Sequence, residues 1–376
     1  MPRHLPTLDG LRGIAVLLVL WCHVPLMVPG YPEWLHLAYW LIGPGGLGVE
    51  IFFVLSGFLI TRILLHERQH GAPVRWFLLR RLLRIFPIYY LLLVLLVPFR
   101  PAEELGWCAV YLHNLRTIVA PTISPLDHTW SLCIEEHFYL LWPLAVAFGS
   151  RRLAKNLLLF VLMPCAVIGA VAVTLLVDDG NTARTIVQHG SPFRCLGLGA
   201  GSLLAFAEPW LRANRGRTLG LASGLGALGL ALHPHVVFIA VPLSMGQAWI
   251  PLRFEPAIWL VHMAATGSAI LLFAVFAAQA RWSPLRCLHW QVLRGVGRIS
   301  YGLYLWHLPI YFYTVGPNPT LANAVFAIVA TFAAALVSWG LIERPVLRYA
   351  GRFRPASDPE RLRDTARPLP TVAAPS

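Results

Sequence analysis

The chain has 376 residues, of which 57% are hydrophobic and only 12% are charged. A soluble globular domain is closer to half apolar and a quarter charged, so this composition excludes an ordinary soluble fold and predicts an integral membrane protein. The formal net charge of +13 could suggest a nucleic-acid partner. The basic residues lie between long apolar runs, however, as the positive-inside rule describes, so we expect a lipid bilayer and no nucleic acid as partner.

The apolar runs along the chain determine the predicted number of membrane crossings. Those long enough to cross a bilayer, or nearly so, are 13–29, 41–65, 85–98, 131–149, 157–177, 192–208, 218–232, 236–250, 257–278, 299–315 and 321–342. The segment 105–120 is weaker because His113, Asn114 and Arg116 interrupt it. A re-entrant or interfacial piece is expected there.

Arginine clusters determine the predicted orientation of these runs, since basic loops stay in the cytoplasm. Such clusters precede the first run and follow the second, the fourth and the last, whereas the loop 30–40 has no arginine and is expected outside. Two further basic clusters, at 212–217 and 281–298, are separated by three apolar runs. Either one of those three runs does not cross fully, or one basic loop breaks the rule. The stretch 218–250 is expected to be irregular, because His233-Pro234-His235 interrupts it.

The resulting prediction is an all-α, polytopic helical bundle in the cell membrane, with about ten transmembrane helices and both termini cytoplasmic. The membrane domain is expected over residues 1–350. Residues 351–376 are polar, rich in proline and arginine and without periodicity, which predicts a disordered cytoplasmic tail. The six cysteines are scattered and show no metal-ligand spacing, so no metal site is expected.

The first run contains two polar side chains that an apolar helix normally avoids, Arg12 and His23. Their spacing of eleven residues is roughly three helical turns, so both lie on nearly the same face and His23 lies about 16 Å deeper. A polar group near the middle of a bilayer is costly unless it faces a cavity or a partner. The two interpretations are a functional histidine and a histidine that simply hydrogen-bonds to a neighbouring helix.

The second run contains an acid, Glu50, and a small dipeptide, Ser56-Gly57. Glu50 either pairs with a basic residue to hold helices together, or it orients His23 and tunes its charge. The dipeptide predicts a close approach between two helices, because small residues allow backbones to come near each other.

Three arginines, Arg80, Arg81 and Arg84, lie at the start of the third run. One interpretation is a topology signal that also contacts lipid headgroups. The other is a phosphate site, since the guanidinium group binds phosphate through two parallel hydrogen bonds. The sequence of this run alone favours neither interpretation.

The fourth run begins with a dense polar motif that includes Trp130, Ser131, Glu135 and Tyr139. Glu135 and Tyr139 are four residues apart and share a helix face. The motif indicates either acid–base chemistry with substrate binding or an aromatic belt at the membrane interface. A later run adds a further intramembrane histidine, His307.

Five stretches together resemble the membrane-bound acyltransferase-3 family, which includes O-acetyltransferases of bacterial polysaccharides and acyltransferases of macrolide antibiotics. They are LDGLRGIA with a following His at 8–23, GVEIFFVLSGFLI at 48–60, RRLLRIFPIYY at 80–90, WSLCIEEHFYLLWP at 130–143 and SYGLYLWHLP at 300–309. Each stretch alone is a soft signal, but five in this order over nearly the whole chain are specific. Glu50 departs from the family's more frequent Asp, which lengthens the reach of that acid by one methylene.

The resemblance implies an integral-membrane O-acyltransferase. It would move an acyl group, with acetyl expected, from cytoplasmic acyl-CoA to a hydroxyl of a carbohydrate, a glycoconjugate or a macrolide-type small molecule. It gives importance to Arg12, His23, Arg84 and Glu135. The expected site has His23, Glu50 and Glu135 as catalytic groups, Arg12, Arg80, Arg81 and Arg84 for the CoA phosphates, and Trp130, Ser131, Tyr139 and His307 for the acceptor.

Two mechanisms and a second class of function stay open from the sequence. His23 either takes the proton of the acceptor hydroxyl as a general base, or it attacks first and carries the acyl group. The other class is a proton-coupled transporter or flippase of a sugar or a lipid-linked substrate, in which buried His and Glu form a proton path. Some family members carry an extracytoplasmic hydrolase-like domain, and its lack here favours a small or lipid-linked acceptor.

Overall fold

The computed structural model describes residues 5–23, 46–233, 249–276, 284–315 and 320–353. Within these ranges the chain is helical and has no strand, which confirms the all-α prediction. In chain order the helices are α1 (Pro6–Cys22), α2 (Gly46–Gln69), α3 (Val74–Leu96), α4 (Ala102–Ala109), α5 (His113–Val119), α6 (Thr129–Phe148), α7 (Arg151–Leu157), α8 (Met163–Leu176), α9 (Gly180–His189), α10 (Ser191–Ala213), α11 (Arg215–Ala231), α12 (Trp249–Phe276), α13 (Gln291–Arg298), α14 (Ser300–Val315), α15 (Leu321–Ser338) and α16 (Arg344–Ala350). Wider π-helical turns at Leu158–Leu162 and Trp339–Glu343 join α7 to α8 and α15 to α16. Single 3-10 turns lie at Pro284–His289 and Gly351–Phe353.

Several helical segments are long and apolar enough to cross a membrane. Among the described residues they are Gly46–Gln69, Arg151–Leu176, Phe254–Val275 and Leu321–Phe353. Large apolar side chains remain exposed on the outside of the bundle, such as Phe148 at 79% and Leu176 at 82%. Such an apolar exterior is expected where the surface faces lipid rather than water.

The irregular stretches of the sequence have mixed outcomes. The segment 105–120 forms the short helices α4 and α5 and not a crossing, as predicted. Helix α11 ends at Ala231, and residues 234–248, which contain most of the run 236–250, lie outside the described residues. The loop 30–40 also lies outside them.

The first three residues of the predicted tail are described by the structure and are helical. Gly351–Phe353 continue the last helix as a 3-10 turn, and the Phe353 ring stacks on Trp76 at 5.3 Å between centroids. The prediction of disorder from residue 351 was wrong for these three residues, because Phe353 finds an aromatic partner on α3. Residues 354–376 lie outside the described residues.

The most extensive packing in the bundle joins α2 to α10. A Cβ at Gly57 would overlap the carbonyl group of Leu198, and a Cβ at Gly201 would overlap the carbonyl group of Val54. Ser202 Oγ also donates to the Gly57 carbonyl at 3.2 Å. The two backbones thus touch where only glycine fits, which confirms the close approach predicted at Gly57.

Helix α1 is enclosed by α2, α13 and α14, and this places its polar face toward the interior. Its buried side chains recur at helical spacing and include Leu8, Leu11, Ala15 and Val19. A Cβ at Gly13 would overlap the carbonyl of Leu293, so α13 lies directly against the α1 backbone. The face of α1 that carries Arg12 therefore lies against other helices, and His23 follows directly after the last residue of α1.

Candidate active site

A cavity opens between α1, α2, α3, α6 and α14. It holds about 730 Å³ of space free of protein atoms, part of it open to solvent, and its charged lining consists of Arg12, Arg81, Arg84 and Glu135. The rest of the wall is apolar or hydroxylic and consists of Val49, Phe52, Phe53, Leu55, Ser56, Ile85, Ser131, Leu132, Ser300, Tyr301 and Tyr304.

The three arginines of the cavity come from two helices. Arg12 lies in the second turn of α1, and its guanidinium is 3.7 Å from the carboxylate of Asp9, one turn earlier. Arg81 and Arg84 are three residues apart on α3, so both project from one face of that helix. Three positive groups and one carboxylate give the lining a net positive charge, which attracts an anionic ligand.

Arg80 does not line this cavity, although the sequence grouped it with Arg81 and Arg84. Its guanidinium forms an ion pair with Glu67 at the end of α2, and it donates to the carbonyl oxygen of Phe353 at 2.6 Å. Helical geometry explains the difference, because neighbouring residues on α3 point about 100° apart. The structure therefore brings together three of the four arginines predicted to bind the donor.

Glu135 and Tyr139 lie one turn apart on α6 and both contact Arg81. The guanidinium nitrogen of Arg81 is 3.8 Å from Glu135 Oε2, and its central carbon lies 3.8 Å from the centroid of the Tyr139 ring. The Tyr139 hydroxyl hydrogen-bonds to Ser56 on α2. The shared helix face predicted for Glu135 and Tyr139 is thus confirmed, and it holds an arginine over the cavity.

Two hydroxyl groups connect the cavity to a second polar region. The hydroxyls of Ser131 and Tyr304, which both line the cavity, lie 2.5 Å apart. Each also contacts the backbone carbonyl of His128, at 3.1 Å from Ser131 and 2.9 Å from Tyr304. The Tyr304 ring lies 5.5 Å from the His128 ring and 5.6 Å from the His307 ring, measured between centroids. This tyrosine therefore lies between the cavity and a group of histidines.

Three imidazole rings, those of His23, His128 and His307, form this group. The centroid of His307 lies 4.9 Å from that of His23 and 5.1 Å from that of His128. One nitrogen of each ring is hydrogen-bonded to a backbone carbonyl oxygen. The distances are 2.8 Å from His23 Nδ1 to the Val19 oxygen, 2.6 Å from His307 Nδ1 to the Tyr304 oxygen, and 3.1 Å from His128 Nε2 to the Leu305 oxygen.

These carbonyl contacts assign the tautomers of the neutral rings. A carbonyl oxygen only accepts hydrogen bonds, so the nitrogen that faces it must carry the hydrogen. In a neutral imidazole the other nitrogen then has a lone pair. His23 and His307 thus both offer Nε2 as a base, and the predicted candidates His23 and His307 lie side by side.

Glu50 pairs with an arginine that the sequence reasoning did not single out. Arg194 on α10 lies 3.0 Å from Glu50 Oε2, and both side chains are fully buried. The guanidinium carbon of Arg194 also faces three rings, at 5.1 Å from Phe53, 5.6 Å from Trp130 and 4.8 Å from Trp259. The carboxylate therefore joins α2 to α10, and Trp130 belongs to this aromatic enclosure and not to the cavity lining.

Three residues of the site were not among the predicted candidates: His128, Tyr304 and Arg194. Tyr304 lies inside the quoted motif 300–309, three residues before His307, and His128 lies two residues before the quoted motif 130–143. Arg194 lies in the apolar run 192–208, and an arginine in such a run is itself a signal, because it must find a partner inside the bundle.

The loop before α6 positions His128 through a buried polar cluster outside the spans. Asp127 Oδ2 accepts from the Ser124 backbone N–H at 2.8 Å, and the Ser124 hydroxyl hydrogen-bonds to Glu104. Arg100 pairs with Glu104 at 2.5 Å. Burial, with a smaller contribution from the nearby Glu104 carboxylate, raises the pKa of Asp127 to about 6.

Comparisons with known proteins give the family to which the chain is related. Residues 5–343 match the family described as an acyltransferase domain. The chain is 30% identical over 371 residues to the peptidoglycan O-acetyltransferase OatA of Listeria monocytogenes. That alignment covers 92% of this chain and 56% of the Listeria protein. It is 28% identical over 374 residues to the O-acetyltransferase OatA of Staphylococcus aureus, with 92% and 57% covered. The chain thus spans just over half the length of these relatives, and no solved structure matches it significantly.

Proposed function

The chain belongs to the acyltransferase-domain family that residues 5–343 match, and we propose that it is a membrane O-acyltransferase that moves an acetyl group from acyl-CoA to a hydroxyl of a glycan. The names of the similar proteins, O-acetyltransferases with peptidoglycan as one printed acceptor, support acetyl transfer and a sugar acceptor. The family match does not favour the transporter alternative.

The observation that carries the donor assignment is the convergence of Arg12, Arg81 and Arg84 on one cavity. Acyl-CoA is a phosphate-rich anion, and guanidinium groups bind phosphate oxygens through charge-assisted hydrogen bonds. Arg84 has no carboxylate within 4.0 Å among the described residues, so it is available for such a contact. We place the phosphates at these arginines and the thioester toward Ser131 and Tyr304.

The finer membrane topology is part of the same proposal. We place the arginine end of the cavity at the cytoplasmic side, because basic residues follow the runs on that side. About ten crossings with both termini in the cytoplasm satisfy that rule. The cavity then faces the compartment that supplies acyl-CoA, and the histidines lie deeper along α1, beyond Tyr304.

His23 is the proposed base. With its Nδ1 hydrogen on the Val19 carbonyl, Nε2 takes the proton of the acceptor hydroxyl while the hydroxyl oxygen attacks the thioester carbon. The carbon–sulfur bond then breaks, and the imidazolium returns the proton to the departing thiolate. Glu135 would act at the donor end, since its contact in the structure is Arg81 and not His23.

A covalent order of events uses the same atoms. His23 Nε2 attacks the thioester carbon first, the carbon–sulfur bond breaks, and CoA leaves as the thiolate, which gives an acetyl-imidazolium that keeps its Nδ1 hydrogen. The acceptor oxygen then attacks the acetyl carbon, the carbon–nitrogen bond breaks, and the proton of the hydroxyl passes to the CoA thiolate. The two orders differ in one measurable species. Incubation with labelled acetyl-CoA in the absence of acceptor leaves label on the protein in the covalent order and none in direct transfer.

The test is acetyl transfer by the purified protein from radiolabelled acetyl-CoA to a panel of sugar and macrolide hydroxyl acceptors. We expect turnover with a sugar acceptor, and loss of at least about a hundredfold in His23→Ala, as for removal of a general base. Turnover with no acceptor of the panel, together with gradient-driven flux of a sugar across vesicles, would overturn the proposal.

A pair of arginine variants tests the donor site separately. Arg84→Gln is expected to raise the KM for acetyl-CoA about tenfold to a hundredfold, because it removes a charged hydrogen bond in a partly desolvated site. Arg75→Gln is the matched control, since Arg75 is exposed at the start of the same helix and lies over Trp76 at 5.2 Å. Equal KM values for the two variants would contradict the assignment of the cavity.

A further inference from the structure

Within the part of the chain that the structure describes, two buried polar atoms beside His23 have no hydrogen-bond partner. His307 Nε2 and the hydroxyl of Tyr311 are both shielded from solvent, and neither has a hydrogen-bond partner among the described residues. The two side chains are only 0% and 3% exposed. A buried polar group without a partner is costly, so each such group in a folded protein needs an explanation.

The two atoms belong to one helix face that is turned toward the end of α1. His307 and Tyr311 are four residues apart on α14, and their rings stand nearly perpendicular with centroids 5.7 Å apart. The His307 ring lies 4.9 Å from His23, and Tyr311 packs in one apolar cluster with Leu20. Both unpartnered atoms therefore lie in the immediate surroundings of the proposed base.

The chemistry of the two atoms is complementary. The Nδ1 hydrogen of His307 is bound to the Tyr304 carbonyl at 2.6 Å, so Nε2 can only accept in the neutral ring. The Tyr311 hydroxyl has a hydrogen to donate. One acceptor and one donor are what a hydroxyl group of a ligand needs, because it donates its own hydrogen and accepts another through a lone pair.

We propose that His307 and Tyr311 bind a second hydroxyl of the acceptor, next to the one that His23 deprotonates. This inference rests on the proposed function and refines it, since it restricts the acceptor to a polyol such as a sugar, with two hydroxyls within reach of neighbouring rings. His307 and Tyr311 are binding residues in this scheme, and they fix which hydroxyl of the sugar reaches His23.

The experiment is a double-mutant cycle in which variants of the protein are combined with deoxy analogues of the sugar. The acceptors are methyl N-acetyl-β-glucosaminide and its 3-, 4- and 6-deoxy analogues, each assayed with labelled acetyl-CoA. The variants are Tyr311→Phe and His307→Asn, since asparagine can keep the donor to the Tyr304 carbonyl while Nε2 is lost. Tyr313→Phe is the control, because Tyr313 lies on the same helix and is 46% exposed.

With the parent sugar, we expect Tyr311→Phe and His307→Asn to lower kcat/KM about tenfold to a hundredfold, and Tyr313→Phe to leave it unchanged. With the one deoxy analogue that lacks the second hydroxyl, wild type should fall to the level of the variants. The variants should lose no further activity with that analogue.

The outcomes separate this inference from the proposed function. Two results would overturn the second-hydroxyl site and leave the transferase standing, provided that wild type acetylates the parent sugar. In the first, both variants lower kcat/KM by the same factor with every analogue that is still acetylated. In the second, neither variant lowers kcat/KM at all. If wild type acetylates no sugar of the set, the proposed acceptor class fails and this site fails with it. Thermal unfolding of each variant shows whether a loss comes from the fold.

Discussion

The Glu50–Arg194 pair allows the sharpest prediction about how α2 is held against α10. Arg194→Met removes the positive partner and leaves a carboxylate that is only 1% exposed without a counter-charge. Breaking a buried pair from one side costs about 3–5 kcal/mol of the free energy of unfolding. Glu50→Gln leaves the guanidinium in contact with three aromatic faces, which together compensate about 1.5–3 kcal/mol, so we expect a loss of about 2 kcal/mol of the free energy of unfolding.

The double variant Glu50→Gln/Arg194→Met distinguishes an ion pair from two independent contacts. It buries no charge at this position, so it should be more stable than Arg194→Met alone by about 1–3 kcal/mol. The measurement is equilibrium unfolding in mixed micelles, followed by circular dichroism, with acetyl transfer per folded protein assayed in parallel. Turnover should change little in whichever variants remain folded.

The sequence allowed a second role for Glu50, the orientation of His23, and the same experiment tests it. If Glu50→Gln leaves the free energy of unfolding unchanged and lowers turnover a hundredfold, the carboxylate acts on the histidine, and the reasoning from the ion pair is refuted. A double variant that loses the sum of the two single effects would equally remove the pair as the explanation.

Three other changes have expected outcomes that follow from the structure. Gly57→Ala should lower the free energy of unfolding by about 1–3 kcal/mol because its Cβ meets α10. The control Gly220→Ala has open space around its Cβ and should raise the free energy of unfolding by up to about 1 kcal/mol. Equal effects of the two variants on unfolding in micelles would contradict the close contact. Burial raises the pKa of Asp127 from its ordinary value of 3.8 to about 6, so the stability that the protonated carboxyl contributes is present below pH 4 and is lost as pH rises through 6. Asp127→Asn should match wild type near pH 4 and exceed it by about 1–2 kcal/mol at pH 7, after allowance for partial exposure, and thermal unfolding at both pH values without such a difference would refute this. Arg80→Gln should lower the free energy of unfolding by about 1 kcal/mol through loss of the Glu67 pair and leave the KM for acetyl-CoA unchanged. A raised KM would instead place Arg80 in the proposed donor site.

The parts of the site that follow helical periodicity could be predicted from the sequence. The spacing of Arg12 and His23 placed both on one face of α1, and the structure has Arg12 in the cavity and His23 among the histidines. The four-residue spacing of Glu135 and Tyr139 likewise gave their shared face. Local geometry of this kind depends on one helix and needs no knowledge of its neighbours.

Contacts between helices could not be predicted in the same way. Nothing in the run 192–208 indicated that Arg194 faces Glu50, because that depends on the packing of α10 against α2. The same holds for Arg80, whose partners Glu67 and Phe353 lie at the ends of other elements. The sequence showed which side chains needed partners, and tertiary packing determined the choice among them.

The carbonyl groups that orient the three histidines have a consequence for how acceptor preference could be changed. Val19, Tyr304 and Leu305 act through the main chain, so substitution of their side chains leaves the oxygen atoms in place as long as the helices persist. The proton-accepting nitrogens are then independent of the shape of the groups around them. If the proposed function holds, re-engineering toward a different alcohol can begin with neighbouring side chains, without rebuilding the proposed base.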